Sequence, residues 1–127
     1  MLDISSLVYS RLINDRTMKK YLGGSGTTKQ DKPPTFPYMY FKVIGESTKS
    51  ASLQNKQCGI LAAFEITMYD SKSSTKAKQL IFHVAELMRQ MGFTMNYGPV
   101  EIERSSTAEA HRWTARFKRV YCAGDDI

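Results

Sequence analysis

Across residues 3–14, Ile4, Leu7, Val8 and Leu12 recur at helical spacing with polar residues between them, which predicts an amphipathic helix. The next segment, DRTMKKYLGG, predicts a short further stretch of helix stopped by Gly23 and Gly24, where the chain can take left-handed dihedrals without a Cβ penalty. Residues 23–37, GGSGTTKQDKPPTFP, place three prolines among Gly, Ser and Thr, so neither helix nor strand ladder is expected there and the segment reads as an exposed loop. Residues 38–44, YMYFKVI, are β-branched and aromatic with apolar positions on both faces, which predicts a strand covered on two sides and closed by Gly45. The polar, Ser-rich stretch 45–57, GESTKSASLQNKQ, is expected to form a hairpin loop longer than a turn needs, and such loops often carry contacts.

From residue 58 to 69 strict alternation returns. Ile60, Ala62, Phe64, Ile66 and Met68 share one face and Leu61, Ala63, Glu65, Thr67 and Tyr69 the other, which predicts a long, half-buried strand. Ala77, Leu80, Ile81, Val84, Leu87, Met88 and Met91 then step by three and four between a cap at Ser73 or Ser74 and a stop at Gly92, the pattern of a helix. Residues 93–97 and 100–104 read as a strand broken or bulged at Gly98-Pro99, hence an edge or a bend. After the turn-like SSTAE, residues 110–121 set His111, Trp113, Ala115 and Phe117 against Arg112, Thr114, Arg116 and Lys118, a strand with one apolar and one basic face. The order α-β-β-α-β-β with two hairpins makes an α+β fold the economical architecture: an antiparallel four-stranded sheet with helices packed on it.

A length of 127 residues suits one domain over 1–127, with flexible loops near 23–37 and 45–57 and a short acidic tail at 123–127. With 42% hydrophobic and 24% charged residues the chain can bury a core. A net charge of +6 and a pI near 9.4 favour association with something acidic, either nucleic acid or a protein surface. No apolar run approaches the roughly 20 residues of a membrane span, and the start MLDISSLVYS lacks the features of a signal peptide, so neither membrane insertion nor export is expected. Cys58 and Cys122 stand alone, which reads as two free thiols and a reducing compartment.

Little in the chain points to catalysis, and no enzymatic activity, metal or cofactor is expected. His83 and His111 are the two imidazoles, and neither lies beside a nucleophile and an orienting group in sequence; His83 reads as a histidine at the boundary of a helix stripe. Glu101 with Glu103, and Asp125 with Asp126, read as solvated acids rather than a paired-carboxylate site. The GGSG run follows a helix instead of a strand and lacks the GK[ST] ending of a phosphate-binding loop. The basic strand bearing Arg112, Arg116 and Lys118, with Arg119 opposite, is the one constellation suited to phosphates or to a subunit contact.

Several strings together carry a family likeness: PPTFPYMYFKVIG, FEITMYD, SSTKAKQLI and the ending RFKRVYCAGDDI. With Pro34 and Pro37 leading a strand, Ile66 and Tyr69 in the next, a helix over 77–91, and Arg116 to Arg119 before Gly124 and Asp125, the chain resembles the tail-completion, or tail-terminator, proteins of long-tailed bacteriophages. The resemblance implies a structural virion protein, assembled in the host bacterial cytoplasm, that forms a ring, commonly hexameric, on the head-proximal end of the tail tube. Such a ring ends tube growth and joins tail to head, so its partners would be copies of itself, the tail tube protein and head-connector proteins, with DNA passing transiently through the lumen.

On this reading Glu46, Lys49 and Lys56 in the long polar loop, Arg112, Arg116 and Lys118 on the basic strand, and Gly124, Asp125 and Asp126 in the tail are the candidate subunit or tube contacts. The alternatives are another neck or head–tail connector protein, or a small basic nucleic-acid-binding α+β module.

Overall fold

The computed structural model describes residues 4–27, 35–51, 57–70, 74–102 and 111–121. Within them the chain forms α1 (Ile4–Ile13), α2 (Arg16–Tyr21), β1 (Gly24–Gly26), β2 (Tyr38–Ala51), β3 (Gln57–Asp70), α3 (Ser74–Gln90), β4 (Thr94–Ile102) and β5 (His111–Tyr121). The strands make one mixed five-stranded sheet in the order β1-β2-β3-β5-β4. The α+β class matches the expectation; the four-stranded, all-antiparallel sheet and the α-β-β-α-β-β order do not.

The additional strand comes from the segment expected to be a plain loop. Gly24, Ser25 and Gly26 run parallel to Tyr38, Met39 and Tyr40, and the backbone N–H groups of Gly23 and Gly24 donate to the Pro37 carbonyl at 2.7 and 3.2 Å. A Cβ at Gly23 would stand 2.6 Å from the Phe36 carbonyl oxygen, so the missing side chains allow this close approach. Glycine composition signals freedom to turn, and here that freedom is used for strand pairing instead.

The expected loop at 45–57 is likewise mostly strand. β2 continues through a register shift between Val43 and Gly45 to Ala51, and β3 begins at Gln57, so Gly45 marks a bulge and not an end. Pairing with β3 gives partners to the backbone across a stretch whose sequence has no apolar alternation. β4 is one strand crossing Gly98-Pro99, with register shifts on either side of Tyr97, and it lies at the sheet edge.

One face of the sheet builds the core. Met39 and Phe41 of β2, Ala62, Phe64, Ile66 and Met68 of β3, and Ala115 and Phe117 of β5 are buried against α1 and α3. In α3 the predicted stripe is buried at Ala77, Leu80, Ile81, Val84 and Met88, with Leu87 at its margin, and Met91 just past the helix is buried too. In α1 the buried stripe is Ile4, Val8 and Leu12, while Leu7, which shares their period, stays 43% exposed. Each large apolar side chain fully withdrawn from water contributes about 1.5–3 kcal/mol.

Phe64 sits at the centre, its ring 5.0 Å from Phe41 and 5.5 Å from Phe93. Gly92, at φ +85°, ends α3 as expected: Phe93 N–H donates to the Met88 carbonyl and Gly92 N–H to that of Arg89, the paired bonds of a Schellman cap. Arg119 completes this end by donating to the Met91 carbonyl.

Candidate functional site

The cross-strand register sorts the outer face of the sheet into rows. Tyr38, Tyr69, Arg112 and Ile102 form one, Tyr40, Thr67, Thr114 and Val100 the next, and Lys42, Glu65, Arg116 and Tyr97 the third. Lys118 follows, opposite Ala63 and Thr94. Alternation on β5 thus places Arg112, Arg116 and Lys118 on one face, as the sequence pattern predicts. Arg119 falls on the opposite, helix-bearing face, where it is occupied with α3.

This face is less basic than its composition suggests. The Nε of Arg116 donates to Glu65 Oε2 at 2.7 Å, and its guanidinium lies 5.1 Å from the Tyr97 ring centroid. Between the arginines the face is closed: Thr67 and Thr114 are buried, their hydroxyls 3.1 Å apart, and Thr114 donates onward to the Ile66 carbonyl. Tyr38 and Tyr69 pack edge to face at 6.4 Å, and burial pushes the Tyr69 phenol up although the Arg112 charge pulls it down. The arrangement is a polar, partly paired platform with Arg116 and Lys118 exposed at its rim.

Of the other candidate contacts, Glu46 and Lys49 lie in β2 beyond the bulge, in register with Ala62 and Gly59. Lys56, Gly124, Asp125 and Asp126 lie outside the described residues. The structure therefore gathers Arg112, Arg116 and Lys118 on one strand face and puts Glu46 and Lys49 on another strand. Glu65 and Tyr97 belong to the Arg116 cluster and were missed by sequence reasoning, because only the register brings β3, β5 and β4 side by side.

His83 is the more informative imidazole. Its Nε2 lies 2.8 Å from Asp15 Oδ2, and the same carboxylate caps α2 by accepting from the backbone N–H groups of Thr17 and Met18. One acid thus ties the start of α2 to the middle of α3. Burial alone would raise the Asp15 carboxyl, but the His83 hydrogen bond and the two backbone donors outweigh it and hold the group below its ordinary value.

A depressed folded-state pKa contributes stability above the unfolded value, and that contribution is lost as pH falls through the folded one. Asp15→Ala is expected to lower stability by about 1 kcal/mol at neutral pH and to flatten the acid limb of the stability curve. Asp15→Asn, which can still cap, should lose less; urea titrations between neutral pH and strong acid measure both.

His111 stands in register with Asp70, and its Nδ1 is buried without a hydrogen-bond partner among the described residues. Glu101 is exposed on β4 opposite Trp113, and Glu103 lies outside the described residues. Among the described residues no cluster of His, Cys, Asp and Glu is disposed to hold a metal ion, and no helix is long and apolar enough to cross a membrane.

No family model matches the chain, and no curated protein matches it. Among solved structures it is similar to a chain from the virion of a native gene transfer agent particle, with a TM-score of 0.57 and 15% identity over 94% of each chain. At that identity the likeness is one of fold, and it spans nearly the whole of both molecules.

Proposed function

We propose that this chain is a structural protein of a phage-like virion and serves there as the tail terminator. In this reading copies of it close a hexameric ring on the head-proximal end of the tail tube, stop its growth and present the surface that receives the head. The observation that supports it is the fold shared over 94% of both chains with a component of a gene transfer agent virion. Family-like strings in the sequence point the same way. The role requires shape and self-association and no reacting group.

The test is electron microscopy of particles assembled without the protein. Tails of uncontrolled length that fail to join heads are expected. Normal-length tails joined to heads would overturn the reading, and normal-length tails left unjoined would favour a neck connector. A nucleic-acid-binding module instead predicts a tight duplex complex at physiological salt whose affinity falls steeply as salt rises. The Glu65–Arg116 pair argues for weak binding, since it offsets one of the exposed charges of the basic face.

A further inference from the structure

We propose that the copies join edge to edge, with the Thr94–Tyr97 part of β4 in one copy adding as a strand to β2 of the next. The proposal rests on the ring reading and deepens it by naming the joint. Among the described residues, half of the exposed large hydrophobic ones lie on the two outer long strands: Val43 (43%) and Ile44 (48%) on β2, Met95 (44%) and Tyr97 (46%) on β4. Open edges with apolar side chains are surfaces that proteins cover or charge, because they template pairing with another chain.

Among the described residues, β1 pairs with β2 only at Tyr38, Met39 and Tyr40, and nothing pairs with the rest of that side of β2 or with the outer side of β4. The register makes the two open edges correspond. Val43, Phe64, Phe117 and Met95 form one row straight across the sheet, and Lys42, Glu65, Arg116 and Tyr97 the adjacent one. The levels that β1 occludes, at Tyr38 and Tyr40, are matched on β4 by Ile102 and Val100. These lie beyond Pro99, which has no N–H to donate.

Strand direction fits as well. β2, β3, β5 and β4 alternate strictly, so a copy rotated about an axis along the strands brings its β4 antiparallel to the next β2. Because the two edges differ, one patch of a copy meets a different patch of the next, the heterologous contact from which closed rings are built.

The experiment uses two variants, Val43→Lys/Ile44→Lys and Met95→Lys/Tyr97→Lys, followed by sedimentation velocity alone, mixed, and with tail tubes. Melting curves check folding, and the single changes Ile44→Lys and Met95→Lys replace any double variant that fails to fold. Each variant alone should self-associate at least about a hundredfold more weakly than the wild type, since its lysines would be set against the apolar edge of the next copy. Mixed, they should form a heterodimer and nothing larger, because one intact β2 edge meets one intact β4 edge. Rings closed by either variant, or a mixture without heterodimer, would overturn the edge joint and leave the ring reading standing. A wild type that stays monomeric with and without tubes would overturn both.

Discussion

Phe64→Ala is expected to lower the free energy of unfolding by about 3–5 kcal/mol, which is a large part of the stability of a domain this size. Phe64 is fully buried on β3, the strand between β2 and β5, with Phe41 on one side and Phe93 on the other. Truncation removes its transfer free energy and leaves a cavity that those two rings cannot fill without moving the sheet or the end of α3. Equilibrium urea unfolding measures the loss, and a change below about 1 kcal/mol would mean that this ring does not organise the core. Phe64→Leu, which retains most of the volume, should cost clearly less.

Gly98→Ala is the second substitution with a large expected effect, about 1–3 kcal/mol from the backbone alone. Gly98 sits at φ +78°, where an L side chain is strained, and a Cβ there would collide with the backbone carbonyl oxygen of Thr114. A carbonyl in a paired strand cannot swing aside as a side-chain tip does, so β4 would have to lift from β5. Gly98→Asn should be destabilised too, because its tolerance for left-handed dihedrals does not remove the steric contact. Denaturant titration gives the magnitude, and faster amide exchange in β4 than in β3 would locate the damage at the edge. If the edge joint is correct, this variant also weakens ring formation.

Helical periodicity was legible because one stripe meets one core: the predicted line from Ala77 through α3 to Met91 just past its end is buried, with Leu87 at the margin. In α1 the same period included Leu7, which the structure leaves exposed, since the helix presents only the Ile4–Val8–Leu12 line to the sheet. Alternation on β3 and β5 likewise marked the core face and the basic face. It did not show that Thr114, among the arginines, is buried and hydrogen-bonded to Thr67, nor that Arg116 already has a partner in Glu65. Those pairings join residues about fifty positions apart, a separation at which local pattern carries no signal.

The segments read as loops failed for a related reason. Polar, glycine-rich or serine-rich composition disfavours a strand only while the backbone lacks a partner. Gly24–Gly26 and the far half of β2 acquire partners in Tyr38–Tyr40 and β3, and ladder hydrogen bonds outweigh the weak local preference.

By itself the sequence determined which residues could leave water together, since period and polarity are properties of the chain: an α+β fold, its two amphipathic helices, the core-facing side of β3 and a basic face on β5. That Thr67 and Tyr69 on the other side of β3 are buried as well was not legible. Tertiary structure alone decided which strands are neighbours and at what level. Register placed Glu65 under Arg116 and Val43 in one row with Met95, and helix packing set Asp15 against His83. Backbone hydrogen bonding is indifferent to side-chain identity, so the row in which two distant strands meet is settled only when the whole core packs.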